Sequence, residues 1–509
     1  MRFQVCRFSL IKTRRVYPFT AAPMNTNSTR AAALLLVFVA SLTMAFGQSA
    51  NTNSATATAP AAASVAPQLQ PAGNAPAWLT WGGDLRLLNE YFDNALTLSA
   101  VAPTHEQDLF RVRARLWSSA MIDPDFSFNV RLAAEPRIWV DPAFAKQHPG
   151  MGTEDRYGIF DNLNLKWTHA FGLPLTITAG RQDVQFGDPL NWWLVGDGTP
   201  GDGSWSTFLD SVRATLDASE IKTKFDLVCI DQHAKPGEWL PILGNPSTYS
   251  VVEQNERGLI LYASNKSLPD TQVDGYFIFK RDDAVFAYSD TGDIYTLGGK
   301  ISGTPSPHWR YSAEGACQWG WKVDSSVRTP VNLSTARRDI RAYGWNARFS
   351  YLFKDPMDNQ LSLVGEYLSG DNPNTTGKDE MFDVLWGRWP RFSELYIYSY
   401  PMETAGKIAQ LNDILRIGPS WTIVPMKGMT ISATYNAWFA PQDVPTRTVK
   451  AALFSESGHF RGNFFQVFVK QQFSKHLSGQ VWGEILKEGN YYARRDLLSY
   501  VRAEMLVSF

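Results

Sequence analysis

From Trp78 to the terminal Phe509, apolar and polar residues alternate with a period of two. In the last segment Val501, Ala503, Met505, Val507 and Phe509 share one face, and Tyr500, Arg502, Glu504 and Ser508 share the other. Phe110, Val112, Ala114 and Leu116 alternate with Arg111, Arg113 and Arg115. Phe126, Phe128, Val130 and Leu132 alternate with Asn129, Arg131, Glu135 and Arg137, and Tyr343, Trp345, Ala347 and Phe349 with Asn346 and Arg348. Successive side chains of a strand point to opposite faces, so these segments read as strands with one greasy and one charged face. About 18 such strands are predicted, and 16 would also fit the pattern.

Alternation alone suits a soluble sandwich as well as a membrane barrel. The connections separate the two. Asp123-Pro124-Asp125, Phe171-Gly172-Leu173, Asp217-Ala218-Ser219, Asp355-Pro356-Met357 and Pro425-Met426-Lys427 are tight turns. Between them fall long links near 139–158, 183–206, 234–255, 324–338, 370–410 and 439–460. Outer-membrane barrels have short periplasmic turns and long extracellular loops, whereas a sandwich has no reason to sort its links by parity. The expected fold is therefore all-β: a single-chain antiparallel transmembrane β-barrel over 78–509. Its arginines must face a wet lumen, because one on the lipid face at mid-membrane costs ~2–4 kcal/mol. Three in one strand would threaten a fold of ~5–15 kcal/mol net stability.

The N-terminal region changes the setting and not the fold. Ala31 to Phe46 is an apolar run after Arg30, followed by Gly47. It is too short for a spanning helix and reads as a secretory signal, so 1–47 is assigned to an N-terminal extension and signal peptide. Met24 would open a signal of ordinary length, which leaves the start codon open between Met1 and Met24. Residues 48–77 are rich in Ala, Pro, Ser and Thr and are expected to be a disordered periplasmic leader. Cys6 precedes the cleavage site, and Cys229 and Cys317 fall on the apolar face as small buried hydrophobes. The formal net charge of -1 gives no reason to expect a nucleic-acid partner.

Several stretches resemble the alginate-export porin family. They are Gly180-Arg181-Gln182 through Phe186-Gly187-Asp188, and Gly82-Gly83-Asp84-Leu85-Arg86 at the first strand. Glu314, Ala316, Gln318 and Gly320 resemble the family's Glu-x-Ala-x-Gln-x-Gly strand, and Tyr367-Leu368-Ser369-Gly370-Asp371 its Tyr-x-x-Gly-Asp strand end. Arg502-x-Glu504 closing on Phe509 also fits. Where the family carries Arg-x-Phe-Asp-x-x-Arg, this chain has Ser206 in place of the leading Arg, and Leu209 is inserted before Asp210. That departure weakens the case for alginate itself.

The resemblance implies a monomeric export channel for an anionic polysaccharide or oligosaccharide, together with a periplasmic export scaffold. The alternative is a general or solute-selective porin for uptake of small solutes. The expected partners are thus the lipid bilayer and one of those solutes. The candidate lumen residues are Arg86, Arg111, Arg113, Arg115, Arg131, Arg137, Arg213 and Arg348, with Glu314, Gln318 and Glu366; Arg181 joins them on resemblance alone. Arginine forks match carboxylates and stay charged. Inward Glu90, Glu135, Glu314, Glu366, Glu484 and Glu504 offer internal partners, and about half of the arginines are expected to take them. Asp183, Asp188, Trp192 and Trp193 are candidate gate residues on a loop that either folds inward or joins the outer girdle. No metal, cofactor or catalysis is expected, since the 7 histidines are scattered and form no catalytic spacing.

Overall fold

The computed structural model describes residues 76–142, 158–184, 186, 208–235, 238, 252–324, 337–387, 392–407, 411–447 and 451–509. The expected signal and nearly all of the leader lie outside the described residues, as do Asp188, Trp192 and Trp193.

Eighteen strands close one antiparallel barrel. The first six are β1 Leu79–Asp93, β2 Glu106–Asp123, β3 Phe126–Ala134, β4 Ile159–Trp167, β5 Leu175–Gln182 and β6 Leu209–Ala218. The next six are β7 Thr223–Gln232, β8 Asn255–Asn265, β9 Thr271–Asp283, β10 Thr291–Ser306, β11 Trp309–Val323 and β12 Arg338–Leu352. The last six are β13 Gln360–Leu368, β14 Ile414–Ile423, β15 Met429–Phe439, β16 Phe460–Gln472, β17 Leu477–Glu488 and β18 Leu497–Ser508. Beyond Pro136, β3 resumes as Arg137–Asp141 against β2. The break is where a proline, lacking an N–H, removes a ladder bond.

Closure comes from β1 pairing with β18, from Asp84↔Ser508 to Asp93↔Ser499. Phe509 extends the ladder: its N–H donates to the Gly83 carbonyl at 3.0 Å and its carbonyl accepts from Gly83 N–H at 2.9 Å. The glycine pair is needed here. A Cβ on Gly83 would lie 2.5 Å from the Phe509 ring, and one on Gly82 would lie 2.9 Å from Trp117.

The loop parity holds. Links 124–125, 168–174, 219–222, 266–270, 307–308, 353–359, 424–428 and 473–476 lie at the end that carries both barrel termini. The opposite end carries 94–105, 142–158, 183–208, 233–254, 324–337, 369–413 and 440–459, with two shorter links. By the outer-membrane rule the first end is periplasmic and the second extracellular. The outward positions form an apolar belt, with Leu116, Leu297, Leu363 and Val467 each at least half exposed, which only lipid can cover. Cys229 and Cys317 share this face. They are exposed on it and unbonded, so their expected burial inside the protein does not hold, although their face was correct.

The interior corrects a larger expectation. The lumen wall is uniformly polar towards the periplasmic end only; towards the extracellular end its buried charges, among them Glu90, Arg111, Lys322 and Arg338, are interleaved with apolar side chains. Towards the extracellular end its inward positions include Ile260, Tyr276, Ile278, Ile294, Ile340, Trp438, Phe464, Trp482, Leu486 and Tyr500, all buried in one cluster. What covers them is the link between β13 and β14. Its described residues include buried Met381, Phe382, Val384, Leu385 and Trp386, then a short helix α1, Glu394–Ser399, carrying buried Leu395 and Tyr396.

Candidate functional site: the lumen and its inner segment

The described residues of the 369–413 link run inward because their large apolar side chains meet apolar wall positions above mid-height, each such burial being worth ~1.5–3 kcal/mol, while buried charges of the wall take the link's polar groups. It spans the lumen from one side to the other. On one side Trp386 lies so close to β8 that a Cβ on Gly258 would be 2.2 Å from its ring. On the other side Tyr398 packs edge-on against Phe92 of β1, ring centroids 4.3 Å apart. Between them Tyr396 packs on Trp438 of β15 at 5.1 Å.

The wall's buried polar groups hold this segment. The Gln318 side chain of β11 pairs with the backbone of Asp383, accepting from its N–H at 2.8 Å and donating to its carbonyl at 2.7 Å. Lys322 holds the Asp383 carboxylate at 2.7 Å. Glu484 of β17 caps α1, accepting from Ser393 Oγ at 2.8 Å and from the N–H groups of Glu394 at 3.1 Å and Leu395 at 2.6 Å. These are the first amides of the helix, which have no partner within it and favour a negative charge. Arg502 of β18 bridges Glu90 at 2.7 Å and Glu394 at 2.8 Å. Arg111 donates to Glu90 at 2.9 Å and to the Tyr398 hydroxyl at 3.2 Å. Arg416 pairs with Glu366 and lies 4.1 Å over the Phe392 ring.

Nearer the extracellular rim the segment's own acids join loop and strand cations. Arg338 reaches Asp324 and Asp379 at 3.0 Å and Asp371 at 2.8 Å. Arg447 reaches Asp290 at 2.9 Å and Asp324 at 3.3 Å. Burial pushes the Asp371 carboxyl up to about 7, against the pull of Arg338. Burial also acts to raise Asp383, but Lys322 and Lys280 outweigh it and hold that group below the usual carboxylate range.

The predicted lumen residues are placed as follows. Arg86 pairs with Glu135 at 3.1 Å, and Arg113 and Arg115 with Asp84. Arg131 pairs with Asp161 at 2.7 Å and Asp183 at 3.0 Å, and Arg213 with Asp226 at 2.8 Å. With Arg111 and Arg502, most of the arginine ladder is neutralised internally, where only about half was expected to be. Glu314 accepts from the Tyr276 hydroxyl at 3.0 Å. Arg137 stands opposite Arg111, and Arg348 opposite Ser312.

Arg181 departs from the lumen assignment. Its register puts it opposite Leu163 and Asp210, in phase with Ala179 and with the outward Val212. Its guanidinium takes both Asp210 oxygens at 2.8 Å and lies 3.7 Å from the centre of the Phe208 ring. The charge is neutralised on the outward phase, which removes the lipid penalty without bringing it into the pore. Gly180 beside it takes φ +122°, and a Cβ there would lie 2.4 Å from the Leu163 carbonyl oxygen.

The described start of the predicted gate loop also turns inward. Asp183 holds Arg131, and Phe186 stacks on the inward Tyr262 at 4.5 Å. Below these contacts the lumen wall keeps a cavity of about 550 Å³, lined by residues of β2 to β6. At the extracellular rim Asp93, His105 and Glu106 bring ligand atoms within 4.8 Å of one another, the one such group among the described residues. An ordinary hydrogen bond of 2.9 Å between His105 Nδ1 and Asp93 accounts for the contact.

The family model for alginate export matches residues 77–499. Among solved structures, Acinetobacter baumannii OccAB1 has a similar fold, with a TM-score of 0.52 at 9% identity over 84% of this chain and 96% of that one. Acinetobacter baumannii OccAB2 gives 0.50 at 10% identity, covering 84% and 98%. A BenF-like porin from Pseudomonas fluorescens Pf-5 gives 0.49 at 11% identity, covering 84% and 98%. At identities this low the two Acinetobacter structures indicate a shared fold and nothing finer. No curated protein matches the chain.

Proposed function

The chain belongs to the alginate export family and forms a multi-pass β-barrel channel of the bacterial outer membrane; from that premise we propose that it is a solute-selective channel for sugar-sized molecules. The observation that carries this reading is the inner segment. A wide conduit for a long polyanion needs a clear lumen and arginines with free charge. Here the 369–413 link crosses the lumen, and the arginines that would draw a polymer hold Asp84, Glu90, Glu135, Asp161 and Asp226 instead. Neutralised forks still form hydrogen bonds, so weak sites along the wall let a small solute enter and leave. No step of this role needs a cofactor or a catalytic group.

Swelling of liposomes that contain the refolded barrel tests the reading. Mono- and disaccharides are expected to enter at rates well above protein-free liposomes, and long oligouronates to be excluded. Equal permeation by long oligouronates and by monosaccharides would contradict the proposal and restore the polymer conduit.

A further inference from the structure

We infer that the cavity in the periplasmic half of the lumen wall is a binding site for an uncharged sugar unit, read through its hydroxyls and not through a carboxylate. The inference rests on the solute-selective reading above and deepens it to a substrate class. The cavity measures about 550 Å³, within the ~300–1,000 Å³ range of small-molecule sites.

A row of amides on neighbouring strands lines it. Asn129 Nδ2 of β3 donates to Asn164 Oδ1 of β4 at 3.0 Å. Asn164 Nδ2 donates to Asn162 Oδ1 at 2.6 Å and to the Arg181 carbonyl at 3.0 Å. Asn164 is thereby fixed from three directions. Asn129 Oδ1 and Asn162 Nδ2, at the two ends of the row, make no hydrogen bond among the described residues. One end therefore offers an acceptor and the other a donor. A hydroxyl is both donor and acceptor, so the hydroxyls of a sugar match both ends; a carboxylate group, which only accepts, matches one, and a uronate has no advantage here over the neutral sugar whose ring hydroxyls it shares. Trp117 of β2 lines the same cavity and supplies the apolar surface that the C–H face of a sugar ring requires.

The charges around the row point the same way. Of the cations lining the cavity, Arg115 shares Asp84 with Arg113 in a network that Glu90, Glu135 and Glu504 complete, Arg213 is held by Asp226, and Arg131 by both Asp161 and Asp183. Lys166 makes no ion pair among the described residues, and the second carboxylate on Arg131 balances it. The lining thus has no surplus positive charge with which to prefer a uronate.

The test uses the full barrel reconstituted in planar bilayers, with block of the single-channel current as the readout. The probes are a neutral trisaccharide and a triuronate of equal length, added from the short-turn side. The neutral sugar is expected to produce concentration-dependent block at lower concentration than the triuronate. Asn129→Ala with Asn162→Ala is expected to weaken that block about tenfold, the loss of two neutral hydrogen bonds. Asn162→Ala alone carries the test, with about threefold weakening, if the double variant does not assemble. Stronger block by the triuronate, or block by the neutral sugar that both variants leave unchanged, would overturn the site. If liposome swelling shows sugar passage but no neutral sugar blocks, this inference fails alone. If no sugar passes in either experiment, the solute-selective reading fails with it.

Discussion

Replacing residues 371–411 with a short Gly/Ser linker is expected to raise the single-channel conductance of the reconstituted barrel several-fold. The wall should survive the change, because β13 and β14 pair directly, from Gln360↔Thr422 to Leu368↔Ile414. Leu368 and Ile414 are therefore adjacent, and a few residues can join them. Barrels of 16–18 strands leave an aqueous channel unless something fills it. In this chain the filling is the segment that runs from Gly258 on β8 to Phe92 on β1. Its removal also exposes inward Ile278, Trp438 and Phe464 to water, so the deleted barrel should unfold at lower denaturant concentration. Conductance equal to that of the intact chain would mean that the segment does not limit the pore.

The second large effect concerns Arg111, which is fully buried between Glu90 and Glu135. Arg111→Ala is expected to destabilise the refolded barrel by ~1–3 kcal/mol, because Glu90 and Glu135 lose their shared buried donor and keep only Arg502 and Arg86. Arg257→Ala removes a pair with Asp283 whose side chains are 54% and 40% exposed. That change should cost ~0–1 kcal/mol, in the range of solvent-screened pairs. Urea titrations in detergent, followed by tryptophan fluorescence, separate the two. Similar small losses for both would show that the Glu90–Arg111–Glu135 network contributes little to holding the wall together.

The barrel was largely legible in the sequence because its determinants are local. Period-two alternation gave each strand its face, and Phe110/Arg111 through Phe509 all fall on the faces expected of them. The tight turns at Asp123-Pro124-Asp125 and Asp355-Pro356-Met357 fixed which links belong to one end. The inner segment was not legible from alternation, since a 370–410 link has the same parity whether it lies outside the barrel or inside it. A cue was nonetheless present. Leu259-Ile260-Leu261, Tyr276-Phe277-Ile278-Phe279 and Phe464-Phe465 are apolar on both faces. Strands of that kind are covered on both sides, here by lipid outside and by the segment inside. Met381-Phe382 and Val384-Leu385-Trp386 were the matching surface.

The role of the charged lumen groups was the harder part. Their facing followed from the cost of placing arginine in lipid, but what they grip depends on residues distant in the chain. Gln318 was picked out with Glu314 on one strand, yet it anchors the backbone of Asp383, a contact between positions that no strand pattern connects. Arg181 shows the limit in the other direction. Strict alternation placed it on the outward phase, and the resemblance placed it in the lumen; the Asp210 pair on β6 settles the matter for alternation.

Helix α1 sits inside the barrel, clamped between Glu484, Arg502 and the Glu90–Arg111 pair. Hydrogen exchange of the Leu395 and Tyr396 amides in the membrane-reconstituted protein tests it most directly. A six-residue helix is too short to persist alone in water, so protection at these amides requires burial. Exchange as slow as that of the β17 and β18 amides is the predicted result. Exchange as fast as that of the exposed Thr104 amide would place the segment outside the lumen and contradict the account.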